Sequence, residues 1–133
     1  MKFIITVFLF FIASNISFSQ EKSTLQESML RGEEIYADFC VSCHLKKGKG
    51  FAKIYPPLAK SDYLLNNRTE SIKAILYGLQ GEIVVNGKTY NNSMPSQGLE
   101  PEEVADVMNY ILNTWENSSD KIVTPEEVSL VTE

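Results

Sequence analysis

The chain has 133 residues, 44 % of them hydrophobic and 22 % charged, with two cysteines, one histidine and a formal net charge of -5. These proportions fit one globular domain rather than a disordered or fibrous chain, and the negative balance argues against nucleic acid, whose phosphates call for clustered positive charge. Two cysteines and one histidine cannot furnish a zinc module of four Cys or of two Cys and two His, allow at most one disulfide, and exclude catalysis built on several histidines.

Lys2 is followed by an apolar run from Phe3 to Ala13, and Ser17 and Ser19 stand at the -3 and -1 positions of a cut before Gln20. This is the layout of a secretory signal peptide over residues 1–19. The run is shorter than the roughly 17 residues that cross a bilayer, so a membrane anchor is the competing reading only if the segment is left uncut. Cleavage leaves residues 20–133 as one domain, with a core over about 24–116 and a C-terminal tail over 117–133, working in the periplasm or otherwise outside the cytoplasm.

Ser23 with Gln26 predicts a capping box opening a helix that runs to about Cys40, with Leu25, Met29, Ile35, Tyr36 and Phe39 as its apolar positions. A loop, Lys46-Lys47-Gly48-Lys49-Gly50, leads to Tyr55-Pro56-Pro57-Leu58. Ser61-Asp62 predicts a helical turn through Leu65, and Thr69 a cap for a helix over 71–77 that stops at Gly78. Asn86-Gly87 lies between Ile83-Val84-Val85 and Lys88-Thr89-Tyr90, the strongest short hairpin signal because both turn residues need φ > 0. Pro101 suits the first turn of a helix, and Val104, Val107, Met108, Ile111 and Trp115 form one apolar stripe along it. Thr124-Pro125-Glu126-Glu127 starts a short terminal helix. The fold class is mainly α with one small hairpin, a small core of the kind that needs a staple.

The chemistry lies in Cys40-Val41-Ser42-Cys43-His44, the C-x-x-C-H pattern of haem attachment. Two thiols one helical turn apart can add to the two vinyl groups of one haem edge, and the adjacent histidine then supplies an axial nitrogen to the iron. A thioredoxin-like dithiol belongs beside a βαβ pattern, which is absent here. Zinc would have to complete its ligands from carboxylates, and a simple Cys40–Cys43 disulfide stays open. Met29 and Met108 sit among helix residues and read as packing. Met94 sits in a polar loop, Asn91-Asn92-Ser93-Met94-Pro95-Ser96. It reads either as surface filling or, given a haem at His44, as the sixth ligand in a loop stiffened by Pro95.

With these motifs in order, residues from about Leu25 to Trp115 resemble the class I c-type cytochromes: Gly32-x-x-x-Tyr36-x-x-x-Cys40, the CVSCH segment, Pro56-Pro57-Leu58, Met94-Pro95, and the helix around Val104 to Ile111. The resemblance implies three to five short helices around one haem c, covalently bound through Cys40 and Cys43, with the hairpin before the axial methionine loop. It implies iron ligation by His44 and Met94, a Pro56 carbonyl accepting the hydrogen bond of the imidazole's other nitrogen, and Leu58 packed on the haem. It also implies a close crossing of the first and last helices at Gly32, with Tyr36 and Tyr110 beside it. The indole that contacts a haem propionate in some members has no clear equivalent, Trp115 standing too near the helix end to be assigned to it, and Arg68 is a weak candidate for a propionate.

The implied function is a soluble, monomeric one-electron carrier rather than an enzyme, passing electrons between respiratory or periplasmic partners with transient contact to membrane complexes. A haem protein with an open sixth position and a thiol–disulfide oxidoreductase are the competing classes. Lys46, Lys47, Lys49 and Lys53 follow the haem motif closely and form either a docking patch for a negative partner or a merely solvated loop.

Overall fold

A computed structural model of the chain describes residues 24–133. The leader at 1–19, its cleavage point and the Ser23 cap lie outside the described residues. Six helical segments and one hairpin follow among them: α1 over 24–39, α2 Val41–His44, α3 Asp62–Asn66, α4 Arg68–Tyr77, β1 Ile83–Val85, β2 Lys88–Tyr90, α5 Pro101–Leu112 and α6 Pro125–Ser129. Among them no helix is long and apolar enough to cross a membrane.

Helix α5 is the axis of the molecule. Pro101 occupies its first turn, and Glu100 and Glu103 form a reciprocal capping box in which the Glu100 N–H donates to the Glu103 carboxylate at 2.9 Å. Residues 104–112 are all buried, as expected of a helix enclosed on every side. The stripe read from the sequence loses its last member, because α5 ends at Leu112 and Trp115 lies beyond it with φ 52°.

Helix α1 lies against α5 along the row Ser28, Gly32 and Tyr36, spaced four residues apart and all buried. A Cβ at Gly32 would run into the Asp106 carbonyl and stand 2.8 Å from the Tyr110 Cβ, so only glycine permits this approach. The buried Asp106 carboxylate is satisfied from α1 as well, by Ser28 Oγ at 2.6 Å and by Arg31 Nε and Nη2 at 2.6 and 2.9 Å. Phe39, expected among the apolar positions of α1, is 45 % exposed.

The shorter elements are set by local chemistry. Ser61 Oγ accepts the Leu64 N–H at 3.2 Å and opens α3. Helix α4 starts at Arg68 after Asn67, so Thr69 is a helix residue and not its cap; Gly78, at φ 87°, ends it by donating its N–H to the Ala74 carbonyl at 3.0 Å. The hairpin pairs Ile83 with Tyr90 and Val85 with Lys88 across Asn86 and Gly87, at φ 51° and 72°. Thr124 caps α6 through the Glu127 N–H at 3.2 Å.

Residues 117–133, a tail by sequence, touch the core at three buried positions, Asn117, Val123 and Val128. Val123 and Val128 join the core at 2 % and 1 % exposure. The side chain of Asn109 pairs with the Val123 backbone in both directions, its Nδ2 donating to the carbonyl at 2.9 Å and its Oδ1 accepting the N–H at 2.7 Å.

Gly32→Ala tests the helix crossing. Alanine gains about 1 kcal/mol in helix propensity, yet its methyl meets backbone that cannot yield. A net loss of about 1–3 kcal/mol is expected in urea denaturation; an unchanged midpoint would show that α1 and α5 can separate freely.

Candidate functional site

One end of α1 runs directly into the haem-motif segment. Cys40 bonds its N–H to the Tyr36 carbonyl at 3.0 Å, and α2 follows, with the His44 N–H on the Cys40 carbonyl at 2.9 Å. Both cysteines are free thiols and partly exposed. The loop after His44 folds back on itself: the Gly50 N–H donates to the His44 carbonyl at 2.9 Å, and the Gly48 carbonyl accepts from Leu58 and Ala59 at 2.7 and 2.9 Å. Behind it, Tyr36, Tyr110 and Trp115 form an aromatic trio with centroids 5.0–5.6 Å apart. The Tyr36 hydroxyl donates to the Leu45 carbonyl at 2.8 Å. A Cβ at Gly48 would strike the Trp115 ring, which gives that indole a role in packing the motif loop.

His44 is 8 % exposed. Burial pushes its imidazole below the usual range, against the opposing pull of the Pro56 carbonyl, so the ring is neutral at pH 7. Its Nδ1 lies 3.0 Å from the Pro56 carbonyl oxygen. A carbonyl only accepts, so the proton is on Nδ1 and the lone pair is on Nε2.

Two adjoining cavities, of about 200 and 80 Å³, share Cys40, His44, Pro56, Leu79, Ile83 and Met94 in their walls and are two lobes of one cleft. The inner lobe is lined by Leu58, Leu64, Ile75, Val107 and Ile111 among others; the outer lobe reaches Phe39, Cys43, Ile54 and Tyr90. Met94 is held in place by a two-bond bridge to Leu79, whose N–H reaches the Met94 carbonyl at 2.8 Å while the Met94 N–H returns to Leu79 at 2.9 Å. Next to it the Ser96 hydroxyl donates to the Leu76 carbonyl at 2.5 Å, and the Gln97 N–H to Ile75 at 3.2 Å.

The cleft thus gathers Cys40, Cys43, His44, Pro56, Leu58 and Met94, which the sequence singled out. It also uses Leu79, Ile83, Val85 and Tyr90, which it did not. The hairpin alternation could have revealed Ile83 and Val85, whose shared face is turned inward while Val84 is 54 % exposed. Leu79 carries no local signal. Arg68 is elsewhere: it makes a two-pronged ion pair with Glu127 at 2.7 and 2.8 Å and donates to the Lys121 and Ile122 carbonyls at 2.9 and 2.8 Å. It clamps the C-terminal segment and lines neither lobe.

The donor set fits a covalently held haem: two thiols at the rim, an imidazole offering a lone pair, a thioether in the same walls, and apolar side chains around them. Against a dithiol oxidoreductase, burial and the neighbouring Cys43 push the Cys40 thiol up to about 11, whereas an attacking cysteine needs a depressed one.

Comparison with known proteins agrees. A family model described as Cytochrome c matches residues 29–115, and the chain belongs to the cytochrome c family. Cytochrome c-552 of Thermus thermophilus is 40 % identical over 106 residues, 73 % of this chain and 80 % of that protein. Cytochrome c6 of Gracilaria tenuistipitata var. liui is 36 % identical over 114 residues, 84 % of this chain and 95 % of that protein. The cytochrome c subunit of a quinone alcohol dehydrogenase from Gluconacetobacter polyoxogenes is 31 % identical over 102 residues, 74 % of this chain but 21 % of that subunit. The chain is a class I c-type cytochrome, a haem c electron carrier and not an enzyme.

The Arg68 clamp has a pH signature. Hydrogen bonding to Arg68 holds the Glu127 carboxyl below its ordinary value of 4.5, so its stabilisation is complete above that value and is lost as pH falls through the lowered one. Arg68→Ala should cost about 1–2 kcal/mol at neutral pH, and the gap in melting temperature to the parent should shrink below about pH 4. A gap constant from pH 7 to pH 3 would show that the ion pair does not hold the tail.

Proposed function

We propose that the chain is an exported one-electron carrier whose haem c is bonded to Cys40 and Cys43 and ligated by His44 and Met94. The observation that carries this reading is the His44 Nδ1 at 3.0 Å from the Pro56 carbonyl oxygen, on a ring that lines the same cleft as Met94. A haem held by Cys40, Cys43, His44 and Met94 would supply one-electron exchange at a high reduction potential, with no position left for substrate.

The chain's own residues prepare that site. Pro56 orients the imidazole and raises its basicity. Leu58 and the rest of the inner lobe exclude water, which disfavours the more highly charged ferric state. The Leu79 bridge and Pro95 keep the thioether from swinging out of the cleft. The working chain is residues 20–133, a single domain released from its leader, and the tail is an integral part of it.

Electrons would pass at the outer lobe. Phe39 and Ile54 stand at its mouth, 45 % and 41 % exposed, and Lys46, Lys47, Lys49 and Lys53 are exposed on the adjoining loop. This combination supports brief docking of an acidic redox partner, with the lysines steering approach and the apolar centre desolvating on contact. A dehydrogenase or a membrane complex is a fitting donor or acceptor class, given the likeness to a dehydrogenase cytochrome subunit.

Protein matured with a haem-attachment system should keep the mass of one haem in denaturant and reductant; no increment would end the covalent assignment. Met94→Ala should lower the reduction potential and let the reduced protein take up CO. A redox titration identical to the parent's would remove Met94 from the ligand set.

A further inference from the structure

We propose that Asn117 is a positioning residue for the proximal ligand: its amide brackets the Leu58–Lys60 backbone and thereby fixes where the Pro56 carbonyl meets His44. The inference rests on the reading of His44 as the axial ligand.

Asn117 is 6 % exposed and follows α5 by a few residues. Its Nδ2 donates to the Leu58 carbonyl at 2.9 Å and to the Ile111 carbonyl at 2.8 Å, and its Oδ1 accepts the Lys60 N–H at 2.8 Å. Two of these partners only accept and one only donates, so the orientation of the amide is settled by its surroundings. The side chain therefore bolts the proximal segment to the end of α5.

The backbone on both sides is bent to make this contact. Trp115, Glu116 and Lys60 are non-glycine residues in the left-handed region, at φ 52°, 70° and 52°. Such conformations persist only where the surroundings over-determine them, and here they converge on one junction. Lys60 and Glu116 close it with an exposed ion pair at 2.8 Å.

From the opposite side the Gly48 carbonyl takes the Leu58 and Ala59 N–H groups. Residues 58–60 are thus gripped between the motif loop and Asn117. Pro56 and Pro57 carry fixed φ angles, which leaves fewer torsions between Leu58 and the Pro56 carbonyl to absorb a shift. A weaker Nδ1–H bond makes the imidazole a poorer donor to ferric iron, and the potential rises.

The test uses haem-loaded protein carrying Asn117→Ala or Asn117→Asp; aspartate keeps the acceptor for Lys60 but has no N–H for Leu58, and serves if the alanine variant does not fold. Asn113→Ala is the control, because Asn113 bonds to the Asn109 carbonyl and the Ser119 N–H and not to residues 56–60. Two quantities are read, the reduction potential and the solvent exchange of the His44 Nδ1 proton by NMR. Asn117→Ala should raise the potential, and both Asn117 variants should speed exchange by roughly tenfold, the effect of losing one buried hydrogen bond. The control should lower the melting temperature and leave both readings at the parent's values. Asn117 variants with parental potential and exchange, or a control that moves them equally, would overturn the inference. A parent protein without an iron-shifted His44 ring would overturn the ligand assignment itself.

Discussion

At Gly32 the backbone of α1 lies on the Asp106 carbonyl of α5 with no side chain between them. That approach decides where the rest of the chain can go. Tyr36, one turn further on, is brought against Tyr110, and Cys40 and His44 follow on the same path at the end of α1. The cost of a mid-helix glycine, about 1 kcal/mol, is offset by this contact and by the Asp106 carboxylate, which takes hydrogen bonds from Ser28 and Arg31 of α1. Removing either α1 partner would leave a buried charge under-satisfied, the more damaging kind of loss.

From that crossing the cleft is assembled by segments remote in sequence. One wall comes from the Pro56–Leu58 segment, held by the motif loop and by Asn117. Another wall comes from the Leu79 bridge, which fixes Met94 next to the end of α4. Gly78 makes this wall possible, since a Cβ there would stand 2.8 Å from the Met94 carbonyl. Hydrogen bonds to the backbone thus fix both walls, while Leu58 and Met94 also pack against the core.

The sequence disclosed what is local or periodic. Five consecutive residues spell the haem motif, Asn86-Gly87 marks the turn, and the spacing of Val104 to Ile111 marks α5. Polar side chains that reach distant backbone left no such mark. Asn109, Asn117 and Arg68 sit in sequence like ordinary surface residues, and their partners lie 14, 59 and 54 positions away or more in the contacts that matter most. Trp115 continues the apolar spacing of α5 in the sequence but leaves the helix, because its place depends on a left-handed turn after Leu112, which the residue types there do not favour. Thr69 misled for the opposite reason: a good capping residue stood one step inside a helix that began earlier.

The same asparagines explain how so small a domain holds its last segment. Its two cysteines fall at 40 and 43, within the cleft wall, so no disulfide can tie residues 117–133 to the core. Instead Asn109 pairs with the backbone of Val123 and Asn117 with that of Leu58 and Lys60, while Arg68 takes the Lys121 and Ile122 carbonyls and Glu127. Each is a buried or half-buried polar group that bonds to main chain, Asn109 and Arg68 adding a side-chain partner in Ser28 and Glu127, and such pairings are specific because any slip leaves donors and acceptors unmet. The amide brackets thus do in this chain what a cross-link does in others, and one of them runs straight to the segment that carries the Pro56 carbonyl. The last segment and the segment that carries Pro56 are thus held in part by the same side chain, that of Asn117.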